Sequence, residues 1–204
     1  TPGRSLRALQ VRVFALTWVS YASYYLTRKN FSVVKARLEE DLGLSLTELG
    51  GIETAYLAVY AIGQFVSGSL GDRFGARKVL GVGMIGSALC AWSLGASSLL
   101  WPIGIAFALN AAFQSTGWSN NVKAMTPWFS RERRGLVMAF WSTNFQVGGL
   151  VATALAGYLL VNFGWRLAFH IPATWVATAG ALVLLFLVER PQDAGLEPVV
   201  EGED

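Results

Sequence analysis

The segment YASYYLTRKNFSVV, residues 21–34, sets Arg28 and Lys29 side by side inside a run that otherwise reads as a membrane-spanning helix. The apolar run before Arg28, from Val13 to Thr27, is too short to cross a hydrocarbon core, which needs about 20 helical residues. Apolar residues resume at Phe31, Val33 and Val34. A helix from Val11 to Ala36 puts Arg28 about 25 Å from its start at ~1.5 Å per residue, and tilt brings it toward the bilayer middle. The competing reading ends the span near Leu26 and lets both cations snorkel to the headgroups. The short run and the placement of the other cations favour the continuous span. On one helix Tyr21, Tyr25, Arg28 and Ser32 share a face, with Tyr24 beside them and Lys29 turned about 100° away. An arginine at a span centre costs about 2.5–3.5 kcal/mol and marks function by default. No carboxylate shares this face. The planar fork of Arg28 is therefore left for an anion, carboxylate or phosphate, which it can bind bidentately.

Composition agrees. Of 204 residues 53% are hydrophobic and 14% charged, with 22 Gly and 8 Trp, against about 25% charged in a soluble domain. Six segments are apolar enough to span: about 11–36, 48–70, 79–98, 101–127, 135–161 and 166–188. The expected fold class is an all-α membrane protein of six transmembrane helices over residues 1–188, followed by a cytoplasmic loop or tail at 189–204. That tail, RPQDAGLEPVVEGED after Glu189, has Pro, Gly and acids but no apolar period. Arg4, Arg7, Arg12, Arg73, Arg77, Lys78, Arg131, Arg133, Arg134 and Arg190 all fall on one side. The positive-inside rule makes that side, and both termini, cytoplasmic. The single Cys90 excludes a disulfide framework. The start at Thr1 rather than Met suggests a trimmed chain, and the first apolar segment is too long for a cleavable signal.

Small residues four apart mark helix-packing faces: Gly83, Ser87, Ala91 and Gly95; Gly149, Thr153 and Gly157; Ala173, Ala177 and Ala181. Phe74-Gly75-Ala76-Arg77 is echoed by Phe163-Gly164-Trp165-Arg166, one copy on each side of the membrane, as an inverted three-plus-three repeat would leave behind. Polar residues gather mid-span on four segments. The second has Glu53, Tyr56, Tyr60 and Gln64; the fourth has Asn110, Gln114, Trp118, Asn121 and Lys123; the fifth has Trp141, Ser142, Thr143, Asn144 and Gln146. With the first segment these point to a water-accessible cavity lined by helices 1, 2, 4 and 5. Asn30-Phe31-Ser32 matches a glycosylation pattern but lies within a span. No metal-ligand spacing, nucleophile elbow or phosphate loop argues for an enzyme, a cofactor or a nucleic-acid partner.

GSLGDRFGARK, residues 68–78, resembles the loop signature of the major facilitator superfamily through Gly68, Asp72, Arg73, Gly75, Arg77 and Lys78. YYLTRKNF, TGWSNNVKAMTPWF, RRGLVMAFWSTN and QVGG resemble its organophosphate:phosphate antiporters, and RPQDAGL resembles their central loop. The resemblance covers the amino-terminal half of a twelve-helix protein. It implies that Arg28 binds phosphate with Lys29 beside it, and that Tyr21 and Tyr25 line the site. Lys123 falls where the bacterial glycerol-3-phosphate carrier has an arginine. Gln64 replaces a lysine of that carrier, and Phe145 replaces its site histidine. The lone His170 does not match that histidine and reads as a packing residue.

The resemblance implies alternating access between two halves, with a phosphate ester exchanged for inorganic phosphate at a site of Arg28, Lys29, Tyr21, Tyr25, Gln64, Lys123, Trp118 and Asn144. Asp72, Arg73 and Arg77 read as gate residues, and Arg131, Glu132 and Arg133 as a second latch. The implied partners are a small anion, the lipid bilayer and a second six-helix half, either a carboxy-terminal half or another copy. The implied location is a bacterial inner membrane. Two other functions fit the residues: a proton-driven carrier of another anion, using Glu53, and a phosphate-ester sensor of the same fold.

Overall fold

The computed structural model describes residues 5–199; Arg4 and the last residues of the tail, 200–204, lie outside the described residues. Among the described residues there are nine α-helices and no strand. They are α1 (Leu6–Tyr24), α2 (Lys29–Leu42), α3 (Leu46–Phe74), α4 (Ala76–Ala96), α5 (Leu100–Gln114), α6 (Gly117–Met125), α7 (Arg131–Trp141), α8 (Thr143–Phe163) and α9 (Trp165–Phe186). Four stretches are long and apolar enough to cross a membrane: Leu46–Phe74, Ala76–Ala96, Arg131–Phe163 and Trp165–Phe186. The expected first and fourth spans are instead interrupted. The first breaks at a 3-10 turn, Tyr25–Thr27, and the fourth breaks between α5 and α6. Both breaks fall where the polar residues crowd, and non-helical backbone at membrane depth is tolerated only where protein buries it.

The chain runs between two ends. At one, Arg12 Nη2 donates to the Phe186 carbonyl at 2.8 Å, Gln10 Nε2 to that of Trp128 at 2.7 Å, and Trp128 Nε1 to that of Val188 at 3.1 Å. At the other, Arg166 donates to the Gly95 carbonyl at 2.8 Å and to Ser98 Oγ at 2.8 Å, closing the carboxyl end of α4 with a cation. α4 and α9 are therefore antiparallel neighbours, with the Gly81 and Gly180 backbones in close approach.

The two Phe-Gly-x-Arg copies build the same junction. Gly75 and Gly164 have φ of 89° and 83°, and in each case a helix ends at the Phe and the next begins right after the Gly. The partners differ. The backbone N–H groups of Ala76 and Arg77 donate to the two oxygens of Glu189, each at 3.1 Å. A carboxylate from the far end of α9 thus caps α4, where the helix dipole favours it.

The packing faces need one shift in register. On α8 the buried small residues are Gly148, Ala152 and Ala156, one position before the expected Gly149, Thr153 and Gly157. A Cβ on Gly148 would lie 2.7 Å from the Ala22 carbonyl oxygen, whereas one on Gly157 would touch nothing. On α9 Ala173 is buried and Ala181 exposed, and Gly180 makes the close contact with α4. Within α9, Pro172 lacks the N–H that would bond the Ala168 carbonyl. Buried Asn30 on α2 supplies it through Nδ2 at 3.2 Å.

Candidate functional site

The break in the first segment creates the site. At the 3-10 turn the backbone carbonyls of Tyr24 and Thr27 accept side-chain hydrogen bonds from α5. Gln114 Nε2 donates to the Tyr24 carbonyl at 2.9 Å and Asn110 Nδ2 to that of Thr27 at 2.8 Å. Gln114 Nε2 also reaches Thr27 Oγ1 at 2.8 Å and Ser87 Oγ at 3.1 Å, while Ser87 donates to Asn110 Oδ1 at 2.6 Å. Thr27, Ser87, Asn110 and Gln114 are all 0% exposed. This is a fully paired polar seam among the first segment, α4 and α5.

Arg28 ends the turn, half-buried. Its Nε and Nη2 both donate to Gln114 Oε1, at 3.1 and 3.0 Å. Its carbon Cζ lies 5.0 Å from the ring centroid of Tyr25 and 4.7 Å from that of Tyr60, a cation–π clasp. Among the described residues no carboxylate lies within ion-pair reach of it. Tyr60 stacks on Tyr56, with ring centroids 6.3 Å apart, and Tyr25 packs edge-on against Tyr21 at 5.9 Å. Tyr56 is 5% exposed, stacks on Phe107, and has no hydrogen-bond partner for its hydroxyl.

The other expected residues fall into three groups. Tyr21, Tyr25, Trp118 and Trp141 form one aromatic cluster around Tyr21, with centroids 5.4–5.9 Å from it. Asn144 is buried beside it, donating to the Trp141 carbonyl at 2.5 Å, with its Oδ1 unpaired. Lys29 is exposed, Gln64 half-buried on α3, and Phe145 half-buried. Ser32 does not continue the Arg28 face, because the break intervenes. It donates to Glu53 at 2.9 Å, and Glu53 is ion-paired with Lys35.

The second group is the loop signature. Lys123 Nζ donates to Asp72 Oδ1 at 2.6 Å and to the Gly68 carbonyl at 2.9 Å. A residue expected at the ligand and one expected at the gate are thus paired. Arg73 lies over the Phe74 ring and is exposed; Arg77 is half-buried. In the third group Arg131, Glu132 and Arg133 occupy the exposed first turn of α7. His170 packs against Gly95, with its Nε2 3.3 Å from the Trp92 carbonyl oxygen.

Sequence reasoning placed Gln114 among mid-span polar residues without a role and gave Ser87 only a packing role. Their spacing from Arg28, 86 residues for Gln114, is a tertiary relation that no local pattern encodes. Glu189 also carried no expectation.

Apolar helices thus enclose a paired polar seam, with the Arg28 guanidinium at a helix break. A model of the Major Facilitator Superfamily matches residues 17–203, and the chain belongs to that superfamily. It is 30% identical to the glucose-6-phosphate exchanger SLC37A2 of Homo sapiens, over 91% of this chain and 43% of that protein. It is 32% identical to the membrane sensor protein UhpC of Salmonella typhimurium, over 89% of this chain and 41% of that one. The chain thus spans less than half the length of these relatives, and the match falls on their amino-terminal half. The curated relatives are glycerol-3-phosphate and hexose-phosphate proteins of the superfamily. The crystal structure of a bacterial homologue of the human lysosomal transporter Spinster aligns with a TM-score of 0.83 at 16% identity, over 96% of this chain and 46% of that one, which shows the fold.

Proposed function

We propose that the chain is the amino-terminal half of a carrier that exchanges a phosphate ester for inorganic phosphate by alternating access. The observation that carries this reading is the unneutralised Arg28 guanidinium, held by an amide and two aromatic rings. Guanidinium has five N–H donors, and Gln114 takes two of them. Three remain at the Nη1–Nη2 end, the geometry that grips a phosphoryl group bidentately. The Tyr56 hydroxyl lacks a hydrogen-bond partner, and its ring stacks beside that of Tyr60, over which Arg28 lies. Lys29, Tyr21, Tyr25, Gln64, Trp118, Asn144 and Lys123 complete the proposed ligand site.

In this reading the segments 6–42, 46–74, 76–96, 100–125, 131–163 and 165–186 each cross the membrane, the broken ones shielded by neighbours. The end that gathers Arg12, Arg73, Arg77 and Arg190 faces the cytoplasm, following the positive-inside rule. The membrane is a bacterial inner membrane, and a second six-helix half closes the cavity. Uncompensated cations resist crossing an occluded state, because desolvation opposes them. An oxyanion offsets that cost, so the loaded carrier switches and the empty one stays put. Asp72, Arg73 and Arg77, with Arg131, Glu132 and Arg133, form the cytoplasmic gate.

The test is counterflow of labelled phosphate into liposomes holding the complete carrier. Exchange that persists when a pH gradient is collapsed supports the reading, and uptake that requires the gradient contradicts it. Glu53, the proton site of the alternative reading, is ion-paired with Lys35. The sensor relative motivates one other reading: phosphate-ester binding with no flux.

A further inference from the structure

We infer that Gln114 is the specificity-determining partner of the Arg28 site: it orients the guanidinium with a neutral acceptor and thereby reserves its charge for a divalent oxyanion. The inference rests on the reading of Arg28 as the anion-binding cation. The amide orientation is forced from both sides. Guanidinium only donates, so the atom 3.0 Å from Arg28 Nη2 is the oxygen. A backbone carbonyl only accepts, so the atom 2.9 Å from the Tyr24 oxygen is the NH2 group.

Two consequences follow from the chemistry. First, an amide oxygen carries no net charge, so it fixes the plane of the fork and leaves the full cation. A carboxylate in the same place would orient the fork equally well and cancel the charge. The molecule uses that alternative elsewhere: Lys35 is answered by Glu53 and Lys123 by Asp72. Second, the Gln114 side chain cannot swing away cheaply. Its Nε2 is tied to the Tyr24 carbonyl, Thr27 Oγ1 and Ser87 Oγ, and releasing it would break all three buried hydrogen bonds at once. The break in the first segment and the orientation of the guanidinium are one structure, with Gln114 as its joint. Gln114 touches no substrate in this account; it is a positioning residue.

The experiment compares Gln114→Glu, Gln114→Met and Arg28→Gln in liposomes holding the complete carrier, with labelled inorganic phosphate as the probe and sulfate as competitor. Gln114→Glu is expected to raise the KM for phosphate about 10-fold or more and to weaken sulfate inhibition in step. Gln114→Met removes the acceptor but leaves the charge. It is expected to raise KM only about three-fold, with turnover within about two-fold and sulfate still inhibiting. Equal KM values for the Glu and Met variants, or a wild-type KM for Glu, would overturn the inference. Should Gln114→Glu not reach the membrane, Gln114→Met decides alone, and a wild-type KM for it overturns the positioning role. Undiminished exchange by Arg28→Gln, or none by the wild type, would instead sink the functional reading on which the inference stands.

Discussion

Lys123 Nζ donates to Asp72 Oδ1 at 2.6 Å, fastening α6 to the last turn of α3. The Asp72 side chain is 75% exposed, so the pair is screened and contributes about 0–1 kcal/mol. Asp72→Asn is expected to leave thermal unfolding in detergent almost unchanged. Phosphate exchange by the complete carrier is expected to fall strongly, as the proposed gate role of Asp72 implies. A large loss of stability with normal exchange per folded molecule would assign the pair to folding instead.

Glu189 holds the first turn of α4 through two backbone N–H groups. Glu189→Ala removes a cap and a favourable charge at the helix start, and is expected to cost about 1 kcal/mol in thermal unfolding. Gly75→Ala adds a Cβ 2.7 Å from a Glu189 oxygen at φ 89°, a conformation that side chains avoid. Its expected cost is larger, about 1–3 kcal/mol. Equal stability of Gly75→Ala and wild type would refute the junction geometry.

Gly148 and Gly157 give a matched pair on α8. Gly148→Ala forces a Cβ against the Ala22 backbone and is expected to destabilise by about 1–3 kcal/mol. Gly157→Ala meets open space and is expected to be neutral or to stabilise by up to about 1 kcal/mol through helix propensity. The reverse order would place the wrong face of α8 against α1.

Glu53→Gln separates phosphate exchange from proton coupling. Glu53 and Lys35 are partly exposed, so losing their pairing costs about 0–1 kcal/mol. Phosphate counterflow is expected to stay within about two-fold of wild type. Abolished transport, with a lost response to a pH gradient, would revive the proton-driven alternative.

Much of the fold was legible in the residues because its markers are local. The FGAR and FGWR junctions need only a glycine at positive φ between two helices, and Arg28 stands out by charge alone. The helix break at Tyr25–Thr27 was not legible, because its stability comes from Asn110 and Gln114 on another helix. The same holds for Glu189, whose partners lie 112 and 113 residues away. The small-residue faces were read in the right helices and one residue out of register on α8, since Gly148 and Gly149 both satisfy a four-residue spacing. Lys123 illustrates the remaining gap: nothing local to it marks Asp72, 51 residues away, as its partner.

The most direct test is Arg28→Lys in the complete carrier, reconstituted in liposomes and assayed for exchange of labelled phosphate. Lysine keeps the charge and loses the planar fork. The account predicts normal membrane insertion with phosphate exchange reduced about 100-fold or more, as loss of a bidentate charged contact implies. Wild-type exchange by that variant would contradict the claim that the Arg28 fork is what binds the anion.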